Sequence, residues 1–419
     1  MTLHRPIIKT AAETGLAEQF AKLVGPGAER AAAFAAFAEV GLPTRRNEAW
    51  HYTDLRSAMA VAAPLAPAPD AGRIEAAREL LALRPKIGDV RLVMLDGRYV
   101  ESLSDSAPVG LRASVLEGAP TTGPSDAIVA LNTAFAQTGL KLEIAEGAQL
   151  APRIEIAHIL GAPISQSVYS RVEISLGVGA RAGFCEVFAG AGAETQRNAL
   201  VKLTLGAGAQ GSLTSVIDDF AGLHLESQIA DLGADAEFSA FALVAGGALV
   251  RRQLFVGHQA PGAKIALGGL SLLDGQRRAD TTLEVTHGAP NGQSREYYKH
   301  IVAGEAQGIY QGKVIVKPYA QKTDGGMKSQ AILLSPTASM NNKPELEIFA
   351  DDVVCGHGAT VGALDPEQVF YLEARGIART EAEAMLLEAF GADAIDRVED
   401  ETVAEYLRER MRAWLAARS

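Results

Sequence analysis

The chain has 419 residues, 48% of them hydrophobic, which is enough to bury an extended core. Its formal net charge of −11 argues against a nucleic-acid-binding surface, because neutralising phosphates needs clustered Lys and Arg. No apolar stretch approaches the about 18 residues of a membrane-spanning helix, and residues 1–6 lack the apolar core of a signal peptide. With two cysteines, the chain is predicted to be reduced and cytoplasmic, and to bind neither nucleic acid nor membrane.

The first segment, residues 1–72, is predicted to be a helical region followed by a linker. Apolar side chains recur at helical spacing from Leu16 to Leu23, and a second, alanine-rich run stops at Gly41-Leu42-Pro43. From Ser57 to Gly72 the chain is rich in Ala and Pro, a composition typical of a connecting segment. We therefore place a boundary at the end of this linker.

Residues 73–139 combine helix and strand signals. A short helix is predicted around Ala76 to Leu83, ahead of the apolar strand Val90 to Leu95. The Asp96-Gly97 step that follows leads into Arg98-Tyr99-Val100 and is typical of a tight β-hairpin turn. This segment is expected to be a mixed α/β region that leads into the main domain.

From residue 140 to 362, short alternating strands separated by glycine replace the helical patterns. A pattern Leu-Gly-Xaa-(Gly or Asp)-Ala occupies 176–180, 205–209 and 232–236, and Pro261-Gly262-Ala263 continues it. This repeat, about 27 to 29 residues long, is typical of stacked β-solenoid coils that bury their inward faces. The 42 glycines favour the solenoid over the alternative, a β-sandwich, because each coil needs tight corners with positive φ.

Helical patterns return in the C-terminal region, residues 363–419. Asp365-Pro366 is predicted to begin the first helix. Thr380 is predicted to cap a second helix that ends at Gly391, and Thr402 to cap a third. The third helix carries an apolar stripe that must be buried, either on the body of the same chain or against a partner. The stripe consists of Val403, Tyr406, Leu407, Arg410, Met411, Trp414 and Leu415.

Two glycine-rich stretches partly match nucleotide-binding motifs, but their surroundings argue against both. Residues 206–211 read Gly-x-Gly-x-x-Gly, yet a strand-like sequence follows and supplies no helix N-terminus for a pyrophosphate. Residues 308–313 are similar to a P-loop, but they have one residue too few between the glycines, and Val314 replaces the magnesium-binding Ser or Thr. Any ATP hydrolysis linked to this protein is therefore expected on another polypeptide.

The strongest candidate for chemistry is the strand-like run from Ala350 to Gly362, which contains Cys355 and His357. Side chains alternate along a strand, so these two should point the same way and could bind a soft metal. Two ligands do not complete a zinc or iron–sulfur site, so we expect a second chain to supply the others. Two other interpretations stay open. The pair could be structural, or the Cys355 thiol could be a nucleophile beside an imidazole base that Asp351 or Asp352 orients.

Several motifs, most of them between residues 286 and 379, carry a family resemblance. They are THGAP at 286–290, SREYYK at 294–299, KTDGGM at 322–327, KPELEIFADDV at 343–353, CGHGATVG at 355–362, DPEQVFYL at 365–372 and, near the N-terminus, RNEAWHYT at 46–53. In these motifs the chain resembles the SufD branch of the SufB/SufD family, which belongs to the SUF system of iron–sulfur cluster assembly. Where SufB proteins carry a sequence similar to Cys-Asp-Ser, this chain has Thr323-Asp324-Gly325. Because the cysteine is missing, the chain resembles SufD rather than the principal cluster-holding subunit.

The resemblance implies a mainly β protein, with a right-handed parallel β-helix core over residues 140–362 between N-terminal and C-terminal α-helical regions. It implies a non-catalytic scaffold subunit that pairs with a SufB-like subunit and binds the SufC ATPase. An iron–sulfur cluster is expected only transiently in the complex, with His357 as a ligand and Cys355 beside it; no cofactor is expected on the isolated chain. The C-terminal residues expected to bind the ATPase are Phe370, Tyr371, Arg375, Met385, Leu386 and Phe390.

Two alternatives to this scaffold role stay open. One is a stand-alone β-helical enzyme that uses Cys355 and His357, or acidic residues, for its chemistry. The other is a homodimer, because an exposed solenoid edge can pair with its own copy. Purification separates the first alternative from the scaffold role, since an assembly subunit should co-elute with an ATPase and a SufB-like chain.

Overall fold

The structure, a computed structural model, describes residues 9–118, 124–151, 153–190, 192–218 and 220–418. The prediction that residues 1–6 hold no signal peptide falls outside these residues. The strands are β1 (Val90–Leu95), β2 (Arg98–Tyr99), β3 (Leu111–Glu117), β4 (Thr138–Ile144), β5 (Ile154–Ile159), β6 (Ser167–Leu176), β7 (Arg181–Ala189), β8 (Gln196–Leu205), β9 (Gln210–Ile217), β10 (Leu223–Leu232), β11 (Glu237–Val244), β12 (Leu249–His258), β13 (Lys264–Leu273), β14 (Arg278–His287), β15 (Gln293–Val302), β16 (Gln307–Val316), β17 (Asp324–Leu333), β18 (Ser339–Ile348) and β19 (Val354–Gly362). The helices are α1 (Ala11–Ala21), α2 (Gly27–Val40), α3 (Leu55–Ala58), α4 (Ala71–Ala82), α5 (Ala127–Phe135), α6 (Pro366–Glu373), α7 (Arg379–Ile395) and α8 (Glu401–Ala416).

The strands form two sheets, and the chain passes from one sheet to the other with each strand of the solenoid. The first sheet has the order β19-β17-β15-β13-β11-β9-β7-β5-β1-β2, and the second has the order β18-β16-β14-β12-β10-β8-β6-β4-β3. Successive coils pair in parallel and in unbroken register, as β10 does with β12 from Leu223↔Leu249 to Leu232↔His258. This parallel pairing confirms the predicted β-helix and excludes the β-sandwich, whose sheets are antiparallel.

In six successive coils, from the β6–β7 corner to the β16–β17 corner, the corner between the two sheets contains a residue with a left-handed backbone. These residues are Gly179, Gly208, Asp235, Gly262, Asn291 and Lys322, with φ between 53° and 79°. The corners also bond to one another: the Gly208 amide donates to the Ala234 carbonyl at 2.8 Å, and the Gly179 amide donates to the Ala207 carbonyl at 2.9 Å. The glycine repeat in the sequence therefore marks a corner that stacks from coil to coil, because glycine adopts this conformation at little cost.

The sheets extend into the segment 73–139, because β1 pairs in parallel with β5 and β3 pairs with β4. The predicted hairpin between β1 and β2 is confirmed, with Asp96 and Gly97 both at positive φ, 48° and 83°. Helix α4 begins earlier than predicted, because the Asp70 side chain accepts a hydrogen bond from the Arg73 amide and caps it. Helix α5 has no counterpart in the sequence prediction.

The N-terminal helices pack on the outer face of the second sheet, and a turn from Arg46 to Thr53 continues along that face. Trp50 is buried there beneath the Arg251 guanidinium, which lies 4.3 Å from the ring centre. Farther along, the Lys343 ammonium of β18 lies 3.1 Å from the Glu48 carboxylate. The N-terminal segment thus reaches the last strand of the second sheet.

At the C-terminus, α6 begins as predicted, with the Asp365 side chain accepting a hydrogen bond from the Glu367 amide. The predicted bounds of the second helix were wrong. Helix α7 begins at Arg379 without a side-chain cap and runs through Gly391, where a Cβ would overlap the Met411 sulfur. Gly391 is therefore required for helix packing rather than for ending the helix.

Helix α8 is capped by Asp400, whose side chain accepts hydrogen bonds from the amides of Thr402 and Val403, so the predicted cap at Thr402 was wrong. Most of its apolar stripe is buried against the outer face of the first sheet and against α7, in one cluster with Cys185, Val187 and Leu270. Of the two alternatives for this stripe, packing on the same chain is the one observed. Within the described residues, no helix has both the length and the apolar character needed to cross a bilayer.

Candidate functional site

The solenoid ends at β18 and β19, which are the outermost strands of the two sheets in the described part of the chain. Each pairs on its inner side, β18 with β16 and β19 with β17. Residues of β19 are exposed along most of its length, whereas nearly all of β15, two strands inward, is buried. Outer backbone groups of such end strands are free to pair with another chain.

Cys355 and His357 both lie on β19, at this end. The register places Cys355 beside Gly325 and His357 beside Met327 of β17. Met327 is buried in the core inside the solenoid, and Cys355 packs against the same core, so both β19 positions belong to the inward face. Because β19 is the last strand, the His357 side chain is nevertheless exposed and Cys355 is half-buried. A thiol and an imidazole thus share one face at an open edge.

The two cysteines differ in their surroundings. Burial raises the pKa of the Cys355 thiol, and the Asp324 and Glu296 carboxylates raise it further, while the Arg295 guanidinium lowers it. Burial raises the pKa of Cys185 to about 12, and this thiol lies in the packed interface beneath α8. A bound metal cation lowers the pKa of an accessible thiol, because coordination favours the thiolate. Cys355 is therefore the cysteine suited to metal chemistry.

Of the two acidic residues before β19, Asp352 serves the corner of the last coil. The Asp352 carboxylate forms an ion pair with Lys322, and its backbone carbonyl accepts a hydrogen bond from the Lys322 amide at 2.6 Å. This arrangement links two successive corners. Because the Asp352 carboxylate is paired with Lys322, it is not available to orient His357 in a catalytic dyad with Cys355. Among the residues that the structure describes, no three His, Cys, Asp or Glu side chains are grouped to hold a metal ion.

Apolar side chains are exposed around the same end. They are Ile348, Phe349, Val354 and Val361, with 40 to 73% of each exposed. Sequence reasoning missed them as a surface. The signal that could have found them is the Ile348-Phe349 pair at a strand end, because successive residues of a strand cannot both face inward. A group of exposed apolar side chains beside an unpaired edge is typical of an interaction surface.

A second exposed surface lies on α6 and the start of α7. Phe370 is 70% exposed, Tyr371 58% and Met385 45%. Arg375 lies over the Tyr371 ring at 5.0 Å and donates a hydrogen bond to its hydroxyl at 3.0 Å, which holds this aromatic side chain in place. Leu386 is half-buried on α7 beside this surface.

Phe390 lies apart from that surface, although the sequence groups it with the others. It packs on the first sheet, where the Lys299 ammonium lies 4.2 Å from its ring centre and donates a hydrogen bond to its carbonyl at 2.8 Å. Its ring therefore attaches α7 to the chain's own solenoid.

The fold and its open end define a β-solenoid protein with helical ends, which presents a thiol and an imidazole on an edge strand. The family model described as the SufBD core domain of SUF system FeS cluster assembly matches residues 158–390. The chain therefore belongs to the SufB/SufD family of iron–sulfur cluster assembly proteins.

Individual relatives match over most of the chain. It is 28% identical to iron–sulfur cluster assembly protein SufD of Escherichia coli over 386 residues, which are 88% of this chain and 89% of that protein. It is 27% identical to a SufBD family protein of Synechocystis over 387 residues, 85% of this chain and 84% of the relative. A shorter match, 30% identical over 199 residues, covers 47% of this chain and 42% of the chloroplastic protein ABCI7 of Arabidopsis thaliana.

Proposed function

We propose that this chain is a non-catalytic scaffold subunit, and that its solenoid end forms half of a site where an iron–sulfur cluster is assembled. The observation that carries the proposal is the pair Cys355 and His357 on one face of the exposed end strand β19. Thiolate and imidazole are ligands that iron accepts. The cluster is cargo here, held while it forms and then passed on.

Two donors leave a cluster short of its usual complement of about four protein ligands, so a second polypeptide supplies the rest. The unpaired edges of β18 and β19 and the apolar side chains around them fit a SufB-like chain that docks end to end. A second copy of this chain has the same edges, so a homodimer of the isolated chain stays a prediction. Native mass measurement of the chain alone and co-expressed with its neighbours distinguishes the two assemblies.

The exposed surface of Phe370, Tyr371 and Met385 fits the docking site for a SufC-type ATPase. Exposed aromatic side chains held by a neighbouring arginine are typical of residues that dominate binding energy. The P-loop-like residues 308–313 lie within strand β16, so they do not open a helix that could receive phosphates. ATP hydrolysis therefore belongs to the partner.

The ligand role is tested by changing His357 to Ala in the co-expressed complex. We expect several-fold less iron and acid-labile sulfide per complex, with the subunits still co-purifying. The matched control is Thr360→Ala, on the same strand but facing outward, which should leave the cluster content unchanged. Equal cluster content in His357→Ala and wild type would refute the ligand role.

The docking role is tested by the double variant Phe370→Ala, Tyr371→Ala. The side chains are exposed, so folding should be unaffected, while binding of the ATPase weakens by at least tenfold, about 1.4 kcal/mol. Tyr319→Ala is the control, because this aromatic side chain is still more exposed and lies on a solenoid corner. Unchanged co-purification of the ATPase with the double variant would exclude this surface.

A further inference from the structure

A cleft of about 380 Å³ lies between the N-terminal segment and the outer face of the second sheet, where strands β12 and β14 begin. Pockets of this size hold small organic molecules, and they occur preferentially where two parts of a fold meet. One wall belongs to the N-terminal segment and the other to the sheet. The first wall includes Arg45, Thr53, Asp54 and Ser57, and the second consists of Leu249 and Arg278.

Contacts beside the cleft hold its two walls together. The Arg251 guanidinium donates a hydrogen bond to the Ala49 carbonyl at 2.6 Å, and the Gln311 side-chain amide donates to the same carbonyl at 3.1 Å. The Thr53 hydroxyl donates to the Asp280 carboxylate, which also forms an ion pair with Arg251. The shape of the cleft is therefore set by the fold before any ligand binds, which lowers the entropic cost of binding.

Each wall contributes one arginine without a partner. The guanidinium groups of Arg45 and Arg278 line the cleft, and neither has a hydrogen bond or an ion pair anywhere in the described part of the chain. The neighbouring Arg277, in contrast, lies 2.5 Å from the Asp274 carboxylate. Asp and Glu outnumber Lys and Arg in this chain by 50 to 39, so carboxylates are in excess. Two unpaired guanidinium groups in one cleft therefore form a local site of positive charge on an acidic protein.

The other polar groups of the cleft do not cancel this charge. The Asp54 carboxylate accepts a hydrogen bond from the Ser57 amide at 3.0 Å and caps helix α3. The Thr53 hydroxyl is bonded to Asp280, whose charge is balanced by Arg251. Two guanidinium groups thus face one carboxylate, and the cleft keeps a formal charge of +1, whereas the whole chain carries −11.

We propose that this cleft binds a small organic anion with two separated acidic groups, phosphate or carboxylate, one held by Arg45 and the other by Arg278. A guanidinium presents a planar fork of N–H donors that matches both kinds of acidic group. Leu249 gives the body of the ligand an apolar contact. A single inorganic ion would leave most of the cleft unfilled, because a water molecule takes up only about 30 Å³.

This site is separate from the open end of the solenoid. Arg278 begins strand β14, which lies two strands inward from β18 in the second sheet. Cys355 and His357 lie on β19 of the first sheet. Anion binding therefore does not rest on the proposed function, and His357→Ala should bind the anion as tightly as the wild type.

The first measurement is isothermal titration calorimetry of the purified full-length chain with citrate and with fructose 1,6-bisphosphate. Citrate carries carboxylates and the sugar carries phosphates, so the two titrations identify the acidic group. The ionic strength should be about 20 mM, because added salt screens exposed charges. We expect saturable binding of one equivalent of at least one of these anions, and no binding of the neutral sugar fructose.

Four arginine variants test whether the cleft is the site. Arg45→Gln and Arg278→Gln should each weaken binding at least about fivefold, because each removes a charge-assisted hydrogen bond. Arg46→Gln and Arg277→Gln are the matched controls, since each removes the same charge from the adjacent residue, which does not line the cleft. The controls should keep the wild-type affinity. Because Arg45 and Arg278 are exposed and unpaired, their variants should fold normally.

A fifth variant, Asp54→Asn, should act in the opposite direction. Asparagine caps a helix as well as aspartate does, so helix α3 should be retained. Removing the one carboxylate of the cleft should tighten anion binding severalfold, because the ligand no longer meets a like charge. A bound anion that joins the two walls should also slow the hydrogen exchange of backbone amides in residues 45–58.

Binding of neither anion would overturn the proposal. It would also be overturned if Arg46→Gln and Arg277→Gln weakened binding as much as Arg45→Gln and Arg278→Gln, because the anion would then respond to the general charge of the surface. Equal or weaker binding in Asp54→Asn would count in the same direction. If Asp54→Asn fails to fold, the four arginine variants decide alone.

The same titrations keep this proposal apart from the ligand role of His357. Loss of anion binding in Arg45→Gln with unchanged cluster content supports the cleft and leaves the cluster site as proposed. Normal cluster content in His357→Ala would refute that ligand role and leave the cleft unaffected.

Discussion

Replacing Arg252 by methionine should destabilise the solenoid strongly, because it leaves a buried carboxylate without its countercharge. The Arg252 Nε and Nη2 atoms lie 3.0 and 3.1 Å from the two carboxylate oxygens of Glu226, inside the lumen. Both side chains are at most 2% exposed. Removing one partner of such a pair costs about 3 to 5 kcal/mol, since the charge that remains has lost both its solvent and its partner.

A second change separates the lost charge pair from the lost packing. Glu226 also accepts hydrogen bonds from the Gln228 amide at 2.6 Å and the Ser215 hydroxyl at 3.1 Å, so a neutral amide at this position keeps part of the network. The double variant Arg252→Met, Glu226→Gln should therefore recover about 2 kcal/mol relative to Arg252→Met alone. Arg278→Met, at an exposed position of the next strand in the sheet, should cost less than about 0.5 kcal/mol.

Urea unfolding followed by far-ultraviolet circular dichroism gives the free energies of unfolding of the four proteins. An Arg252→Met protein within about 1 kcal/mol of wild type would refute the argument, since that loss is too small for an isolated buried charge. A double variant no more stable than Arg252→Met would also refute it, because the cost would then come from packing alone.

The remaining predictions concern titration and thiol reactivity. Burial lowers the pKa of His224 and His287 to about 4 and of His300 to about 3, whereas an unfolded imidazole titrates near 6.5. The unfolded chain therefore binds more protons than the folded chain below pH 6.5. As a result, the free energy of unfolding should fall as the pH drops from about 6.5 towards 4. Equal urea midpoints at pH 7 and pH 5 would contradict this prediction. An alkylating reagent should label Cys355 and spare Cys185 in the folded chain, because burial holds the pKa of Cys185 at about 12. Mass spectrometry should find a single adduct, lost in Cys355→Ser; two rapid adducts would count against this contrast.

The solenoid was predictable because one conformational requirement recurs once per coil. Glycine at 179 and 208 meets the need for a left-handed corner, and its spacing gives the coil length directly. The same requirement is met by Asn291 and Lys322 in later coils, where the glycine pattern disappears from the sequence. The periodicity of the early coils therefore predicts the architecture. The corners of the late coils can be assigned only once the pairing of the strands is known.

Elements whose form depends on tertiary contacts were harder to predict. Helix α5 is buried on nearly all sides, so its sequence has no polar face to give a helical period. It is fixed instead by Asn132, whose side-chain amide donates hydrogen bonds to the carbonyls of Ser170 at 3.0 Å and Asn198 at 2.9 Å. These partners are distant in sequence, and no local sequence pattern predicts them.

The sequence likewise predicts one part of the candidate site, while the other part depends on tertiary contacts. Cys355 and His357 are two residues apart on one strand, so alternation alone predicts that they share a face. Buried polar side chains inside the solenoid, such as Glu296 and Tyr298 on β15 and Tyr310 on β16, come from both sheets, and their meeting depends on the register of several coils. An inward-facing Glu between apolar strands is visible in the sequence only after the inward positions of β15 are known.

The position of the C-terminal helices explains why the end of the solenoid is free. A solenoid needs its last coil covered, because open edges and exposed apolar side chains favour uncontrolled pairing. Here α7 packs on β13 and β15 through Leu387 and Phe390, and α8 continues along the outer face of the first sheet. The C-terminal helices therefore pack on the side of the molecule, while the unpaired edges, the exposed apolar residues, the Cys355 thiol and the His357 imidazole are left together at the end. Such a combination is stable in solution when a partner of matching shape covers it, which is the requirement that an assembly subunit meets.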